Sequence, residues 1–445
     1  MRLLTAVDQL FLLLETRNQP MHIGGLFLFE LPFGAKDNFV SELVELMRNS
    51  QIPPSFPFNQ VLYRLLFWQT DKNFDVSHHF RHIALPKPAN MDALLGYVSK
   101  EHAHLLDKSK PMWECHIIEG LHGNHFALYF KIHHAMVDGV AALQLVKKSL
   151  SQSPTEKISL PIWSLMTRHR HQLDALIPPY KSAWQIVKEQ SLALPPVGRE
   201  LFKNIYERFN KNYVSTAQAP DSLLNQPISS SRRIAVASFS FSRFQEIAKT
   251  HNATFNDVVL AVCAGALRRY LTDQHALPKK PLIGFVPLSL RDNQQKQHKI
   301  GNQITFILAN LATHIQDPVE RLHTINASTK NSKNRFARMN QASSILYSGV
   351  VYSRAGLQVL TGIMPEYRGF NLIISNVPAT KKPLYWQGAK LKALYPVSVV
   401  INDQAMNITF CTYQDSIEFC IVACAKVLPN IDIILTYMQE EIDNF

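Results

Sequence analysis

Apolar and polar positions along the chain fall into two registers. "HIGGLFLFEL" (His22 to Leu31) and "FALYFKIHH" (Phe126 to His134) have the short apolar spacing of strands, the second one buried. "DNFVSELVELMRNS" repeats its apolar residues three and four apart and predicts a helix with Asp37 or Asn38 near its start. "VAALQLVKKSL", directly after Gly139, predicts a second helix whose basic end suits a C-terminus. In the second half, "FSRFQEIAKTHNATFNDVVLAVCAGALRRYL" predicts a helix, a turn and a long apolar helix starting near Asn256. "PLIGFVPLSLR", "NQITFILANL", "FNLIISNVP", "YPVSVVI", "MNITFCTY" and "SIEFCIVACAKV" predict strands. Strands mixed with helices in both halves describe an α/β chain of two similar-sized lobes, without an internal repeat.

The pattern breaks between them. Residues 151–230 carry Pro154, Pro161, Pro178, Pro179, Pro195, Pro196, Pro220 and Pro227 among many basic residues, and read as a connection between an N-terminal lobe, 1–150, and a C-terminal lobe, 231–445. Within it, "GRELFKNIYERFNKNY" sets Leu201, Phe202, Ile205, Tyr206 and Phe209 on one helical face opposite a basic, polar one, as a linker helix packed on a domain would, with a membrane-surface helix as the alternative.

Length and composition narrow the reading. A chain of 445 residues exceeds one ordinary core. Its 46 Lys and Arg against 34 Asp and Glu leave +12, which favours anionic cofactors or acidic lipid surfaces. No basic block with interleaved aromatics points to nucleic acid. The five cysteines, Cys115, Cys263, Cys411, Cys420 and Cys424, sit in apolar runs and read as reduced, buried thiols of a cytoplasmic protein. The N-terminal "MRLLTAVDQLFLLLETRNQP" is interrupted by Asp8 and Gln9 and closed by Glu15 and Arg17. It is too short to span a bilayer and reads as an amphipathic helix.

Candidate chemistry centres on "KIHHAMVDGVAAL". His133 and His134 end a strand, so their side chains are expected on opposite faces, which disfavours a shared metal ion. No G-x-S-x-G, G-x-G-x-x-G or P-loop pattern occurs. A neutral imidazole at a strand end can take a proton from a substrate and return it. Asp138, one turn on, would orient that imidazole or brace the loop, and Gly139 would supply the freedom of a tight turn. The plain alternative makes Asp138 a helix N-cap and both histidines core residues. "DVSHHFRH", with His78 and His79, is a similar pair without the trailing Asp-Gly. The residues alone leave both readings open.

"HHAMVDG" follows "KPMWECHIIEGL" and precedes "FNDVVLAVCAGALRRYL", "ISNVP" and "YPVSVVINDQAMNIT". In this order the chain resembles the bacterial wax ester synthase/acyl-CoA:diacylglycerol acyltransferase family, from "TAVDQLFLLLETRNQPMHIGGLFLF" to near its C-terminus. The resemblance implies the two-lobed chloramphenicol acetyltransferase-like fold with mixed sheets and an active-site tunnel between the lobes. It implies fatty acyl transfer from acyl-CoA, a co-substrate rather than a tightly bound cofactor, to a long-chain alcohol or a diacylglycerol. His134 would be the general base and His133 its support. The family's Asn-Asp motif falls on Asn256 and Asp257, with Asn256 as oxyanion donor or, alternatively, helix N-cap. Its Pro-Leu-Trp element falls on Pro111, Met112 and Trp113.

Asp138 and Gly139 would hold the loop, with Arg291 as the partner of Asp138. Ser375, Asn376, Gly356 and Trp113 are the expected substrate contacts. Ala379 and Thr380 depart from the family's Gly-Pro after "SNVP", which puts the turn there in question. Lys147, Lys148, Arg232 and Arg233 would line a cofactor entrance, face lipid or form ordinary solvated surface, and peripheral attachment to the inner face of the membrane or to lipid inclusions is expected, with no metal. The competing readings are a non-catalytic lipid-binding protein of the same fold, or transfer to another acceptor.

Overall fold

The computed structural model describes residues 1–50, 52–137, 139–157, 161–164, 219–289, 304–337 and 368–445. Its first large sheet contains β2 (His22–Glu30), β5 (Phe80–Ala84), β6 (Trp113–Leu121), β7 (His125–His133), β12 (Tyr385–Trp386) and β13 (Ala389–Val397), in the order β12-β13-β2-β7-β6-β5. The second contains β8 (Arg232–Ser240), β9 (Ile283–Ser289), β10 (Ile304–Asn310), β11 (Leu372–Asn376), β14 (Met406–Tyr413) and β15 (Ser416–Cys424), in the order β10-β9-β11-β14-β15-β8. Both are mixed: β5 runs parallel to β6, and β11 runs parallel to β9 and β14. A small sheet joins β1 (Arg2–Leu3), β3 (Gln60–Tyr63) and β4 (Phe67–Thr70).

The expected lobe boundary needs one correction. β12 and β13 lie late in the chain, yet β13 pairs with β2, from Lys390 against Glu30 to Val397 against Gly24. This pairing covers what would otherwise be an open edge of an apolar strand. Residues 385–397 are therefore part of the first sheet, although they fall inside 231–445. The strand stops at Val397, so only the start of "YPVSVVI" is extended. The lobes are also tied by α3 (Met91–Ala103), where Ser99 Oγ accepts the Ile234 N–H of β8 at 3.1 Å.

The remaining helices are α1 (Ala6–Leu14), α2 (Phe39–Arg48), α4 (Gly139–Lys148), α5 (Phe241–Thr250), α6 (Phe255–Asp273), α7 (Pro318–Ala337) and α8 (Asp432–Asp443). α1 opens on a capping box: Thr5 Oγ1 accepts the Asp8 N–H and the Asp8 carboxylate accepts the Thr5 N–H, both at 3.1 Å. α6 does the same with Thr254 and Asp257, so the N-cap is Thr254 and not Asn256. α6 is apolar on all sides because it is enclosed, with Asp257 to Leu267 buried throughout. All five cysteines are buried and free. Among the described residues no helix is long and apolar enough to cross a membrane. "GRELFKNIYERFNKNY" lies outside the described residues.

Candidate active site

The histidine pair sits where β7 gives way to a turn. The backbone there is held from both sides: His133 N–H donates to the Met112 carbonyl and His134 N–H to the Met21 carbonyl, each at 2.9 Å. Met136 N–H closes the turn onto the His133 carbonyl at 2.9 Å. The segments entering β2 and β6 thus fix the dipeptide.

Because the strand ends at His133, the two rings do not take opposite faces as the alternation rule predicts. Both meet α1 and its C-terminal cap. His134 stacks on Phe11, with ring centroids 4.0 Å apart and planes 18° from parallel. His133 Nε2 lies 3.2 Å from the Glu15 carboxylate, one helical turn after Phe11. Its Nδ1 accepts the Ala135 N–H at 3.1 Å, and the side chain is fully buried.

Glu15 is the acid that sequence reasoning missed. Its Oε2 also accepts the Met21 N–H at 3.1 Å, and its Oε1 pairs with Lys108 at 2.9 Å. Burial alone would raise this carboxyl. The hydrogen bond and charge of His133, with Lys108 and Met21, outweigh burial and hold it at about 2. His134 is shifted for a different reason. Burial chiefly disfavours its charged form, the neighbouring His133 adds to this, and the pKa falls to about 4. Its Nδ1 is buried without a hydrogen-bond partner among the described residues, while the residue as a whole is half-buried. The imidazole is therefore neutral across the physiological range.

Gly139 is the first residue of α4 and has an ordinary φ. Among the described residues a Cβ there would meet only Ile23 Cδ1, at 3.8 Å. The expectation that this turn needs glycine's backbone freedom is overturned. Asp138, Arg291 and Gly356 lie outside the described residues.

A second cluster gathers residues that are far apart in sequence. Asn376, at the end of β11, donates through Nδ2 to Asn256 Oδ1 at 3.0 Å. This orients the Asn256 amide so that its own Nδ2 points elsewhere. Asp257 is buried beside it and accepts from Thr254 Oγ1 (2.6 Å), Asn326 Nδ2 (2.8 Å) and Thr329 Oγ1 (2.6 Å). Burial raises this carboxyl but those donors prevail, and its pKa is lowered. Asp257 thus fastens the start of α6 to α7. Ser375 is half-buried and registers with Thr409 of β14.

The two clusters are joined through the chain after "SNVP". Lys147, near the end of α4, donates to the Ala379 carbonyl at 3.1 Å. The Thr380 carbonyl accepts the Gln414 N–H at 3.0 Å, and its Oγ1 accepts the Lys382 N–H at 3.2 Å. Three hydrogen bonds therefore hold the Ala-Thr pair that replaces Gly-Pro.

Two groups of expected ligand contacts have other employment. Trp113 is 1% exposed, stacked on His79 and Trp163, with its indole N–H on the Phe58 carbonyl at 2.8 Å. It is a core residue behind the histidine strand rather than a substrate contact, because its one polar atom and both ring faces are already engaged. Arg232 is buried and donates to the Ser229, Ser231 and Asn18 carbonyls, while Arg233 pairs with Asp432. Neither is free to line a cofactor entrance. His79, the look-alike histidine, is also a core residue, bonded through Nδ1 to the Trp113 carbonyl at 2.9 Å. Among the described residues one trio, Glu101, Glu114 and His116, brings ligand-type atoms within 4.8 Å of one another. Lys131 and Arg81 already neutralise those carboxylates.

Comparison with known proteins decides the family. The chain matches the wax ester synthase/diacylglycerol acyltransferase catalytic domain over residues 4–259 and the WS/DGAT C-terminal domain over residues 300–445. It belongs to the wax ester synthase/diacylglycerol acyltransferase family. This family member is 50% identical to O-acyltransferase WSD of Acinetobacter baylyi, over 100% of this chain and 97% of that one. A Mycobacterium tuberculosis protein named as a diacylglycerol O-acyltransferase is 36% identical over 98% of this chain and 97% of its own. The structure of the wax ester synthase/diacylglycerol acyltransferase from Marinobacter aquaeolei VT8 superposes with a TM-score of 0.81 at 38% identity, covering 100% and 98% of the two chains. The first condensation domain of the calcium-dependent antibiotic synthetase shares the fold alone, with a TM-score of 0.60 at 12% identity. The protein is an O-acyltransferase of the wax ester synthase/diacylglycerol acyltransferase type.

Proposed function

We propose that this acyltransferase moves a long-chain fatty acyl group from acyl-CoA directly onto the hydroxyl of a long-chain alcohol or a diacylglycerol, with His134 as the general base and no acyl-enzyme. The observation that carries this reading is the environment of His134. Its ring is clamped on Phe11, its Nδ1 is sealed, and burial holds it neutral. Nε2 is then the nitrogen left to meet substrate.

In the proposed step the acceptor hydroxyl gives its proton to His134 Nε2 as its oxygen bonds to the thioester carbon. The C–S bond of the tetrahedral intermediate then breaks, and the departing coenzyme A sulfur takes the proton from the imidazolium. General-base assistance of this kind contributes roughly 10²–10⁴-fold. The Asn256 amide, oriented by Asn376, supplies a donor to the developing oxyanion, a role worth about 10²–10³-fold elsewhere. His133 and Glu15 position the dipeptide. Asp257 fixes the start of α6. Ser375 contacts substrate, and Asn376 acts on it through the Asn256 amide that it orients.

Acyl-CoA acts as co-substrate, and the acceptors reach the enzyme from a lipid surface to which it attaches peripherally. Four of the five buried thiols are poor competing nucleophiles: burial raises Cys263 to about 12 and pushes Cys115, Cys411 and Cys420 up as well, whereas at Cys424 the hydrogen bonds of Ser229 outweigh burial and lower the thiol. Incubation with palmitoyl-CoA plus hexadecanol, a diacylglycerol or an amine, followed by separation of the lipid products, tests the proposal. Ester products are expected with the first two acceptors. An amide alone, or acyl-CoA binding without thiol release, would overturn it.

A further inference from the structure

α1 is apolar on both sides. Inward, Phe11, Leu12 and Leu14 pack on the core of the first lobe. Outward, Val7, Leu10 and Leu13 are exposed, Leu13 to 75%. A helix that is hydrophobic all round in a globular protein needs a second apolar environment. At nine residues it is far too short to cross a bilayer, so that environment is a surface on which it lies.

The neighbouring backbone extends the patch. β1 leads straight into α1 and exposes Leu3 to 60%. β1 pairs with β4, and Leu4 N–H bonds the Leu66 carbonyl at 2.9 Å, which brings the β3–β4 turn alongside. That turn presents Leu65, 67% exposed, and Leu66. Arg64 and Leu65 both hold positive φ, 50° and 57°, where asparagine and glycine are the relaxed choices. A leucine held outward in that conformation is unfavourable in water on two counts.

Charge selects the kind of surface. Both acids of the N-terminal segment turn inward: Asp8 into the capping box, Glu15 onto His133 and Lys108. Within residues 1–17 and the β3–β4 turn, the exposed charged side chains are Arg2, Arg17 and Arg64. We propose that the outer face of α1, with the Leu3 strand and the Leu65–Leu66 turn, docks on an anionic phospholipid surface. Leucines enter the acyl boundary while arginines meet the headgroup phosphates. The opposite face of the docked helix meets both histidines, which sets the candidate base one helix away from the lipid. The inference rests on the acyl-transfer reading for its purpose only, and its test involves no turnover.

The test is co-sedimentation of the full chain with vesicles of phosphatidylcholine containing phosphatidylglycerol, against phosphatidylcholine alone, at low and high salt. Wild type is expected to sediment with the anionic vesicles and to be released by salt. Leu10→Ser and Leu13→Ser are each expected to weaken binding about tenfold or more, the loss of one inserted aliphatic side chain. Leu65→Gly relaxes the turn, so weaker binding by that variant cannot be ascribed to misfolding. Absence of wild-type binding, equal salt-independent binding to neutral vesicles, or wild-type binding by all three variants would overturn the proposal. A dimer in gel filtration that the variants dissociate without loss of vesicle binding would instead make the patch a contact between copies. Turnover of the variants on detergent-dispersed substrates, expected at the wild-type level, separates failure of docking from failure of the acyl-transfer reading.

Discussion

Glu15 Oε2 lies 3.2 Å from His133 Nε2 and also takes the Met21 N–H at 3.1 Å, while the Met21 carbonyl holds the His134 N–H at 2.9 Å. One buried carboxylate therefore restrains both histidines, the first through its ring and the second through its backbone. Glu15→Gln keeps the shape and removes the charge. Expected are a loss of about 1–3 kcal/mol in urea unfolding and a fall in kcat of about tenfold with KM unchanged. A variant with wild-type kcat and stability would deny Glu15 its positioning role.

The Asn376–Asn256 hydrogen bond at 3.0 Å predicts coupling rather than two independent contributions. Asn256→Ala should lower kcat by about 10²-fold, as loss of an oxyanion donor does. Asn376→Ala should act by freeing the Asn256 amide, so the double variant is expected to be little worse than Asn256→Ala alone. Fully additive losses in a double-mutant cycle would show that the two side chains act separately.

Much of this was legible from residue order. The spacing of the strands and of α4, α5 and α6, the buried thiols and the motif positions needed only local pattern. What escaped depended on tertiary partners. "TAVDQLFLLLE" announced a helix, but nothing in it said that Phe11 would face His134 and Glu15 would face His133. Alternation predicted opposite faces for the histidines because it assumes the strand continues, and it stops at His133. The insertion of β13 into the first sheet crosses some 360 residues of sequence, beyond any local rule. α7 escaped because its sequence is largely polar, though its Asn326 and Thr329 anchor Asp257.

Gly139→Ala is expected to be tolerated. The residue has an ordinary φ, and among the described residues the new Cβ would meet only Ile23 Cδ1, at 3.8 Å. By reducing the freedom of the unfolded chain, the substitution should leave stability unchanged or raise it by about 0.4–1 kcal/mol. A melting temperature several degrees lower would restore the requirement for glycine.

The pH dependence has a defined sign. Burial lowers His134 from 6.5 to about 4 and His102 from 6.5 to about 3, and His22 is lowered as well. Unfolded, each takes up a proton near pH 6.5; folded, only at lower pH. Stability should therefore be full above pH 6.5 and decline below it, by ~1.4 kcal/mol per pH unit for each histidine until its folded pKa is reached. Glu15 and Glu114, both held at about 2, add to the decline below pH 4.5. Denaturant midpoints from pH 8 to about 5 read this slope. Over the same range kcat/KM of the folded enzyme should show no protonation step near pH 6.5, since His134 stays neutral. Such a step in the folded enzyme would contradict the burial of that ring.

The most direct test of the account is free-thiol release from palmitoyl-CoA in the presence of hexadecanol by purified His134→Ala, with its fold verified by circular dichroism. General-base catalysis by His134 predicts a folded protein whose transfer rate falls by roughly 10²–10⁴-fold, while His79→Ala, altered at the look-alike core histidine, keeps its chemistry once any loss of stability is allowed for. Wild-type turnover by folded His134→Ala would contradict it.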